Sequence, residues 1–462
     1  MKEDTIFALA SGKARAGIAV LRISGEKAGV ALTQLSGNSL PEPRRATRVA
    51  LCDPKTGDAL DFALAIWFPK PASFTGEAVA ELHVHGGPAV VAGVLESLSH
   101  LPGLRPAEPG EFTRRAFENG QLDLTAVEGL ADLVQAETAS QRRLALRQVE
   151  GALFDRYEAW REGLLRALAG VEAAIDFSDE ELPPEILNGA QEAAAKILRE
   201  IRAHLDDGHC GERLRDGFRI VLLGAPNAGK STLLNALARR EAAIVSDRPG
   251  TTRDVIEVAM DIDGFAVTIA DTAGLRKTRI AIEQEGVNRA HARARDADLK
   301  LVLFDKGTGT EWDAETQSLI DDNTLILLTK CDLRDAGNDQ GPMEKTPEIG
   351  AAALLISAKT GIGMAAFWQR LKEEIAARMQ GSETVPLTRL RHRMGLEDCA
   401  DALARFLRLE AQAEEYAEEP AEEIALAAED LRLGVRALGR LTGRVDVEDV
   451  LDRLFAEFCI GK

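Results

Sequence analysis

The chain has 462 residues, of which 45% are hydrophobic, and a formal net charge of −19. This composition is typical of a globular protein, and the length accommodates about two to four domains. The acidic balance argues against a protein that coats nucleic acid without specificity. Basic clusters such as "QRRLALR" and "LTRLRHR" still allow a local RNA contact, although most such clusters are solvated helix faces.

The N-terminus and the cysteines indicate a compartment. The opening "MKEDTIFALASG" has acidic residues where a signal peptide is positive, and no apolar run is long enough to span a bilayer. The five cysteines show no C-x-x-C spacing that would indicate a zinc site or a disulfide framework. We therefore expect a cytoplasmic protein that is not bound to a membrane.

The composition changes three times along the chain and predicts four segments. Residues 1–118 carry short β-like runs with Gly and Pro between them, such as "GIAVLRISG" and "DFALAIWF", which predict an α+β domain. Residues 119–216 are rich in Ala, Leu, Glu and Arg with helical periodicity, and residues 381–462 return to that style. Residues 217–380 alternate apolar strand runs with helical text, which predicts a mostly parallel sheet. The economical interpretation is an α/β domain inserted into a helical domain; two unrelated helical domains are the alternative.

The α/β segment opens with a phosphate-binding pattern. The stretch "GAPNAGKST" at 224–232 follows the strand run "FRIVLLG" and precedes a helical run. Backbone N–H groups of such a loop, together with the helix N-terminus, bind the β-phosphate. Lys230 is predicted to supply charge to the β- and γ-phosphates, and Ser231 to offer a hydroxyl to Mg²⁺.

Two further motifs fit the triphosphate end of such a site. "DTAG" at 271–274 closes a strand run, which places Asp271 near the metal and the N–H of Gly274 near the γ-phosphate. "PGTTRD" at 249–254 lies between the two motifs, where a switch segment needs a threonine on Mg²⁺. Together they predict a P-loop nucleotide hydrolase.

The base-reading motifs favour guanine. Asp332 in "TKCD" accepts from both N1–H and N2–H of guanine, whereas adenine offers an acceptor at N1. "SAK" at 357–359 presents backbone and an aliphatic stem to the same base. The usual pattern is N-K-x-D, and here its first position is Thr329, whose hydroxyl reaches less far than an amide. We therefore predict weaker nucleotide affinity than a Thr329→Asn variant would show.

The catalytic position after "DTAG" departs from Ras-like enzymes. Leu275 stands where such enzymes have the glutamine that orients the attacking water. Asn227 is then a candidate ligand for a monovalent cation that replaces an arginine finger. Glu283 is a candidate to orient water, or else a surface helix residue.

The chain resembles the MnmE (TrmE) family of tRNA modification GTPases along its whole length. The resemblance lies in "DTIFALASGKARAGIAVLRISG", "SFTGEAVAELHVHGGP", "RPAEPGEFTRRAFENGQLDLTAVEGLADL", the GTPase motifs and the terminal "FCIGK". It implies a folate-binding-like α+β domain that forms a homodimer, a helical domain and an inserted Ras-like P-loop GTPase domain. It also implies modification of C5 of the wobble uridine of certain tRNAs to aminomethyl-type derivatives such as carboxymethylaminomethyluridine. The partner that it implies is the flavoprotein MnmG (GidA), which alone carries FAD, in a heterotetramer or larger complex.

The resemblance also implies a set of site residues. Mg²⁺ would be bound by Ser231 and Thr252, and K⁺, which drives dimerisation of the GTPase domains, by Asn227, Ser246, Arg248 and Thr251. Glu283 would orient the hydrolytic water. The residues predicted to bind GTP are Asn227, Ala228, Gly229, Lys230, Ser231, Thr232, Ser246, Thr251, Thr252, Asp271, Thr272, Ala273, Gly274, Thr329, Lys330, Asp332, Ser357, Ala358 and Lys359.

A tetrahydrofolate one-carbon derivative is the implied cofactor of the N-terminal domain. Arg22, Glu81, Gln121 and the terminal Lys462 match the family's folate-contacting positions. The family commonly has a lysine where this chain has Gln121, so that one charge for the folate's glutamyl carboxylate is missing. The pair of histidines in "LHVHGG" shares one strand face without a third ligand, which favours core or dimer contacts over a metal site.

Cys459 in "AEFCIGK" allows three interpretations. A prenylation box fits by length, but Gly and Lys at its third and fourth positions fit badly. A cysteine packed between helices is the second interpretation. The preferred one is a frayed, mobile tail that brings a catalytic Cys459, with its pKa lowered by Lys462, to the one-carbon and uridine chemistry.

Two other functions fit parts of this pattern. A regulatory GTPase that binds ribosomal RNA or assembly intermediates needs neither the one-carbon-like domain nor the tail. A folate enzyme that GTP merely regulates would act without a flavoprotein partner or tRNA. The one-carbon-like domain and the C-terminal tail therefore favour the tRNA-modifying GTPase.

Overall fold

The computed structural model of the chain describes residues 4–176, 185–240, 256–271, 294–306, 314–333, 343–345, 352–379, 385–413, 420–445, 448–456, 458 and 460–461. It divides into two compact units. The terminal unit, which contains both chain ends, comprises Met1–Val134, Leu146–Leu198 and Asp398–Lys462. The α/β unit comprises Gln135–Ala145 and Arg199–Glu397. Among the described residues, no helix combines the length and apolarity that crossing a bilayer requires.

Strands and helices are numbered in chain order. The strands are β1 (Thr5–Leu9), β2 (Ala16–Ser24), β3 (Thr47–Cys52), β4 (Ala59–Phe68), β5 (Val79–Gly86), β6 (Leu104–Pro106), β7 (Phe218–Leu223), β8 (Ile256–Ile262), β9 (Phe265–Asp271), β10 (Leu299–Asp305), β11 (Thr324–Thr329), β12 (Met343–Lys345) and β13 (Ala352–Leu355). The helices are α1 (Ala28–Ser36), α2 (Pro88–Ser99), α3 (Glu111–Glu118), α4 (Leu124–Gln135), α5 (Ala139–Val149), α6 (Ala152–Asp176), α7 (Glu185–Leu205), α8 (Cys210–Asp216), α9 (Lys230–Arg240), α10 (Ala314–Gln317), α11 (Met364–Met379), α12 (Leu390–Ala413), α13 (Pro420–Thr442) and α14 (Glu448–Ala456).

The terminal unit contains a six-stranded sheet in the order β3-β4-β5-β2-β1-β6. All neighbours are antiparallel except β1 and β6. Helices α1 and α2 supply Leu32 and Leu98 to the same buried cluster as Leu21 and Leu82 of the sheet. Because successive side chains of a strand point to opposite faces, Arg22 lies on the face away from this cluster.

Helices from both sides of the α/β segment pack together in the terminal unit. Helix α6 precedes that segment in sequence, α13 follows it, and the two are in extensive contact. Gly434 of α13 allows the close approach, since a Cβ built there would lie 3.3 Å from Leu164 of α6. It would also lie 3.6 Å from Cys399 and 3.7 Å from Leu403, both in α12. The helices before and after the α/β segment therefore belong to one bundle, and the alternative of two unrelated helical domains is wrong.

The α/β unit contains a seven-stranded sheet in the order β12-β13-β11-β10-β7-β9-β8. Strands β13, β11, β10, β7 and β9 are mutually parallel, whereas β8 and β12 are antiparallel edge strands. Alternate residues of β7 enter two different buried clusters, Leu222 in one and Val221 in the other. Burial on both faces explains the continuous apolar runs in the sequence, and the predicted parallel sheet is confirmed.

Candidate functional site

The phosphate loop lies between β7 and α9, at the carboxyl end of a central strand. Gly224 has φ +141°, and a Cβ built on it would lie 2.3 Å from the carbonyl oxygen of Leu303 in β10. Only glycine permits that approach of the loop to the neighbouring strand. Asn227 and Gly229 also have positive φ values, +67° and +97°, so the loop turns twice before the helix begins.

Lys230 and Ser231 are the first residues of α9 and lie against the loop and β9. The ammonium group of Lys230, which is buried, donates to the carbonyl oxygens of Gly224 and, at 2.9 Å, Ala225. The Ser231 hydroxyl donates to Oδ2 of Asp271 at 3.0 Å. Asp271 ends β9 and is 2% exposed. The structure thus brings together a hydroxyl and a carboxylate, oxygen ligands of the kind that Mg²⁺ prefers.

Thr329 connects the base-reading loop to the phosphate loop. It ends β11, it is buried, and its Oγ1 lies 2.7 Å from the carbonyl oxygen of Ala228 and 3.2 Å from that of Phe304. The threonine hydroxyl, although it reaches less far than an amide, makes this connection. The prediction about nucleotide affinity is a separate matter and stays a prediction.

Asp305 is a residue of this region that the sequence motifs did not identify. It ends β10, and its Oδ2 accepts from Nζ of Lys330 at 2.6 Å. Lys330 itself has φ +58°. A readable signal existed, since an acidic residue closes the apolar run "LKLVLFD", and carboxyl ends of parallel strands collect at one edge of the sheet.

Hydrogen bonding favours the ionised form of Asp332, the carboxylate predicted to read the base. A hydrogen bond with Ser357 lowers the pKa of Asp332 from its usual range, and the positive charge of Lys359 acts in the same direction. Ser357 is fixed in turn, because its Oγ accepts from the N–H of Thr360 at 3.2 Å and its own N–H donates to Ile362. The "TKCD" and "SAK" loops therefore meet, as recognition of one base by both requires.

Arg22 and Glu81 form the centre of a cluster in the terminal unit. They are directly opposite each other on β2 and β5, and Nη2 of Arg22 lies 2.9 Å from Oε1 of Glu81. The guanidinium also lies 5.2 Å from the ring centre of Phe74 and 5.8 Å from that of Phe112. The pair is mostly buried, with side chains 21% and 17% exposed. A polar pair beside two aromatic rings is suited to a flat ligand with N–H donors.

Gln121 lies in the loop that follows α3. Its Nε2 is 3.5 Å from the carbonyl oxygen of Asn119, and its side chain is 3.3 Å from where a Cβ on Gly76 would stand. The structure pairs Arg22 with Glu81, whereas it places Gln121 beside Asn119 and Gly76. Of the two histidines of β5, His85 has its Nδ1 2.7 Å from Oδ1 of Asp61, whereas Nε2 of His83 lies 3.6 Å from Glu81, beyond hydrogen-bond distance.

The end of the chain is held against the N-terminal sheet. Ile460 forms an antiparallel bridge with Pro109, and Phe458 is buried among residues of α4 and α14. Gly461 has φ +101°, and a Cβ built there would lie 2.1 Å from the carbonyl oxygen of Leu9. The expectation of a frayed end is therefore wrong for these three residues, since each is fixed by a specific contact.

An apolar cavity of about 670 Å³ lies between β1 and α2. Its walls include Phe7 and Leu9 from the strand and Val91 and Leu95 from the helix. Ile460 is a further lining residue, so the end of the chain contributes to the cavity. Phe7 and Leu9 alternate with Ala8, the residue paired with Arg22, so their side chains point to the face of the sheet opposite to Arg22.

Several predicted site residues lie outside the described part of the chain. They are Ser246, Arg248, Thr251, Thr252, Thr272, Ala273, Gly274, Glu283, Cys459 and Lys462.

Comparisons with known proteins identify a family. The family model described as the MnmE helical domain matches residues 124–459, and the one described as the N-terminus of the GTP-binding protein TrmE matches residues 5–121. A tRNA modification GTPase MnmE of Paramagnetospirillum magneticum is 52% identical over 99% of this chain and 100% of that protein. The protein of the same name from Parvibaculum lavamentivorans is 54% identical over 99% of this chain and 100% of that protein. The solved G domain of the T. maritima FeoB iron transporter is 22% identical over 35% of this chain and 99% of that chain, with a TM-score of 0.25. On the family-model and full-length matches, the chain belongs to the MnmE family of tRNA modification GTPases.

Proposed function

We propose that this protein hydrolyses GTP and, together with a flavoprotein partner, modifies C5 of the wobble uridine of certain tRNAs with a folate one-carbon unit. One observation carries the proposal in a chain of this family: the hydroxyl of Ser231, the residue directly after Lys230, donates a 3.0 Å hydrogen bond to the Asp271 carboxylate. Asp332, which is kept ionised, supports guanine as the base.

The α/β unit supplies the groups for nucleotide binding. Lys230 offers a positive charge to the β- and γ-phosphates once its ammonium exchanges the loop carbonyls for phosphate oxygens. The hydroxyl of Ser231 fits Mg²⁺, with Thr252 as the second protein ligand and Asp271 holding the hydroxyl in place. Mg²⁺, when bound, neutralises charge on the β- and γ-phosphates.

Potassium is the proposed substitute for an arginine finger. Asn227 is exposed and has a left-handed backbone at the surface of the phosphate loop, which supports a role in binding a cation shared with a second GTPase domain. Ser246, Arg248 and Thr251 would complete the site. Glu283 would orient the hydrolytic water, because Leu275 has no group to do so.

The terminal unit is the proposed site of the one-carbon chemistry. Glu81 can accept hydrogen bonds from N–H groups of a pterin ring, and the partly exposed Phe74 ring beside Arg22 suits its flat shape. Gln121 offers no charge to the folate's glutamyl carboxylate, so that Lys462 or a neighbouring arginine would supply the cation for that group. Tetrahydrofolate, when bound, supplies the one-carbon unit.

The proposed assembly is a homodimer that works in the cytoplasm. It would bind the flavoprotein MnmG (GidA), which carries the FAD, and tRNA. Ile460 pairs with Pro109 and Gly461 lies against Leu9, which supports a role of the tail at the N-terminal domain. Cys459 would take part in the one-carbon and uridine chemistry.

The test is the wobble-uridine content of tRNA, measured by mass spectrometry of nucleosides. Cells that lack their own enzyme but retain the flavoprotein partner would be complemented with the wild type, with Asp271→Ala or with Cys459→Ser. We expect the modified nucleoside with the wild type alone. Restoration by Asp271→Ala would separate the modification from GTP hydrolysis, and restoration by Cys459→Ser would make the thiol structural. Failure of the wild type with a compatible partner would refute the modification role and favour the ribosome-assembly alternative.

A further inference from the structure

His83 of β5 has a ring nitrogen with no hydrogen bond. Its Nε2 atom is shielded from solvent and has no hydrogen-bond partner among the described residues. Oε2 of Glu81 lies 3.6 Å away, too far for a hydrogen bond. The side chain as a whole is 29% exposed, so the ring is within reach of a ligand. Buried polar atoms in native proteins almost always have a partner, and an orphaned one beside a candidate site therefore needs an explanation.

Strand register places His83 beside the pair of Arg22 and Glu81. His83 is two residues from Glu81 on β5, so that both side chains are on the same face of the sheet. Its neighbours across the strands are Val20 of β2 and Leu64 of β4. These aliphatic side chains offer the imidazole no hydrogen bond. A hydrogen bond that a ligand makes among such apolar neighbours is stronger than one made in water.

The Glu81 carboxylate has a nitrogen donor on each side. Its Oε1 accepts from Nε and Nη2 of Arg22 at 3.0 and 2.9 Å, and the guanidinium has further N–H groups to donate. Its Oε2 faces Nε2 of His83. An ionised carboxylate only accepts, so it favours the form of His83 that carries a proton on Nε2. The polar atoms therefore follow the order donor, acceptor, acceptor, donor.

The edge of a 2-amino-4-oxopyrimidine has the complementary order. Its N3–H and 2-amino groups are adjacent donors, and the atoms on either side of them, O4 and N1, are acceptors. This order is the same from both ends, so the match does not depend on which end faces His83. The pterin ring of a folate carries this edge, and guanine carries an equivalent one.

We propose that His83 is a specificity-determining residue of the folate site: its Nε2–H donates to the pterin acceptor that flanks the N–H groups bound by Glu81. Arg22 donates to the acceptor on the other side. The torsion that turns a histidine ring is soft, so the ring can rotate towards a ligand at Glu81. This inference rests on the proposed one-carbon function. It favours the pterin over guanine, because the guanine-reading motifs belong to the α/β unit.

The experiment is a calorimetric titration of the full-length protein with 5-formyltetrahydrofolate, a stable one-carbon folate. Wild type would be compared with His83→Leu, which removes Nε2, and with His83→Gln, which keeps an N–H donor of similar reach. His85→Leu is the matched control, since it removes a histidine of the same strand face whose carboxylate partner is Asp61. The wild-type titration would be repeated with guanosine as competitor. Thermal unfolding checks that every variant is folded.

We expect His83→Leu to bind the folate roughly five- to tenfold more weakly, the value of one hydrogen bond. His83→Gln and His85→Leu should lie within about twofold of wild type. Unchanged binding by His83→Leu, or an equal loss in His83→Gln, would overturn the inference, as would an equal loss in His85→Leu. Guanosine that displaces the folate at similar concentration would assign the edge to guanine and overturn it too. Wild type that binds no folate would refute the one-carbon function itself, and the inference with it.

Discussion

The two units assemble their candidate sites by different geometries. In the α/β unit, the phosphate loop, Asp271 and Thr329 lie at the carboxyl ends of β7, β9 and β11, which belong to one parallel array. In the terminal unit, Arg22 and Glu81 meet in the middle of two antiparallel strands because of their register. Parallel strand ends gather short, contiguous motifs, whereas antiparallel pairing joins single residues that are 59 positions apart. Motifs therefore identify the first kind of site and not the second.

The largest effect is expected at a tertiary ion-pair cluster of the terminal unit. Burial alone would raise the pKa of Glu111, but hydrogen bonds from Arg105, the Glu108 backbone and Arg115 hold it at about 2. Because the folded pKa lies below the ordinary 4.5, the stabilisation is present above pH 4.5 and is lost as the pH falls towards 2. We expect Glu111→Gln to lower the free energy of unfolding by about 3 kcal/mol at pH 7.

Denaturant titrations at pH 7 and pH 3 would measure this difference, which should be smaller at pH 3. Glu118→Gln on the same helix is the matched control, since its pair with Arg114 is exposed and worth less than about 1 kcal/mol. Equal stabilities of Glu111→Gln and Glu118→Gln would show that the terminal unit does not depend on the cluster.

The next effect tests whether a motif residue of the α/β unit acts as its pattern predicts. Asp332→Asn replaces a carboxylate that accepts from N1–H and N2–H of guanine by an amide that repels one of them. We expect GDP affinity to fall roughly 10- to 100-fold, as for the loss of a hydrogen bond to a charged group. Affinity for xanthosine diphosphate, whose O2 accepts from the amide, should rise. Titration calorimetry measures both, and parallel losses for the two nucleotides would contradict base reading.

A smaller effect is expected where the chain end meets the sheet. Gly461→Ala places a methyl group on the carbonyl of Leu9 and a non-glycine residue at φ +101°, which costs about 1–2 kcal/mol in backbone strain alone. We expect carboxypeptidase to release the C-terminal residues roughly tenfold faster than from wild type. Gly57→Ala, at φ +77° with open space around it, controls for global effects. An unchanged release rate would mean that Gly461 does not hold the tail.

The smallest effect concerns the departure from N-K-x-D. Since Thr329 already makes the contact with Ala228, Thr329→Asn adds only what an amide offers to the purine. We expect GDP affinity to rise by about threefold, the lower end of the value of a net hydrogen bond. Calorimetric titration of GDP into both proteins measures it. Equal affinities would contradict the prediction that the wild type binds nucleotide more weakly than Thr329→Asn, and would show that Thr329 fully replaces asparagine.

The predictable part of the molecule is the part in which local sequence dictates the chemistry. The apolar runs that became β7, β9, β10, β11 and β13 were readable because a parallel sheet buries both faces. The phosphate loop was readable because a turn with three special φ values needs glycine at particular steps. The lysine that opens α9 follows directly from that turn. Neither inference needs a distant residue.

Other features were beyond local reasoning. Three contacts join residues that are far apart in the chain: those of Asp305 with Lys330, of Thr329 with Ala228 and of Gly461 with Leu9. The tail was expected to be frayed because the residues after Cys459 do not continue a helix. The contacts that hold its neighbours are made by backbone of Leu9 and Pro109, about which the tail's own sequence carries no information.

By itself, the sequence determined a guanine-nucleotide loop, a parallel sheet and a helical domain interrupted by it, since each depends on residue type at short spacing. Only the tertiary structure decided that Arg22 meets Glu81, that Glu111 lies between two arginines and that a threonine holds the phosphate loop. The physical reason is that strand register and close packing bring together groups whose separation along the chain is not encoded in any local pattern.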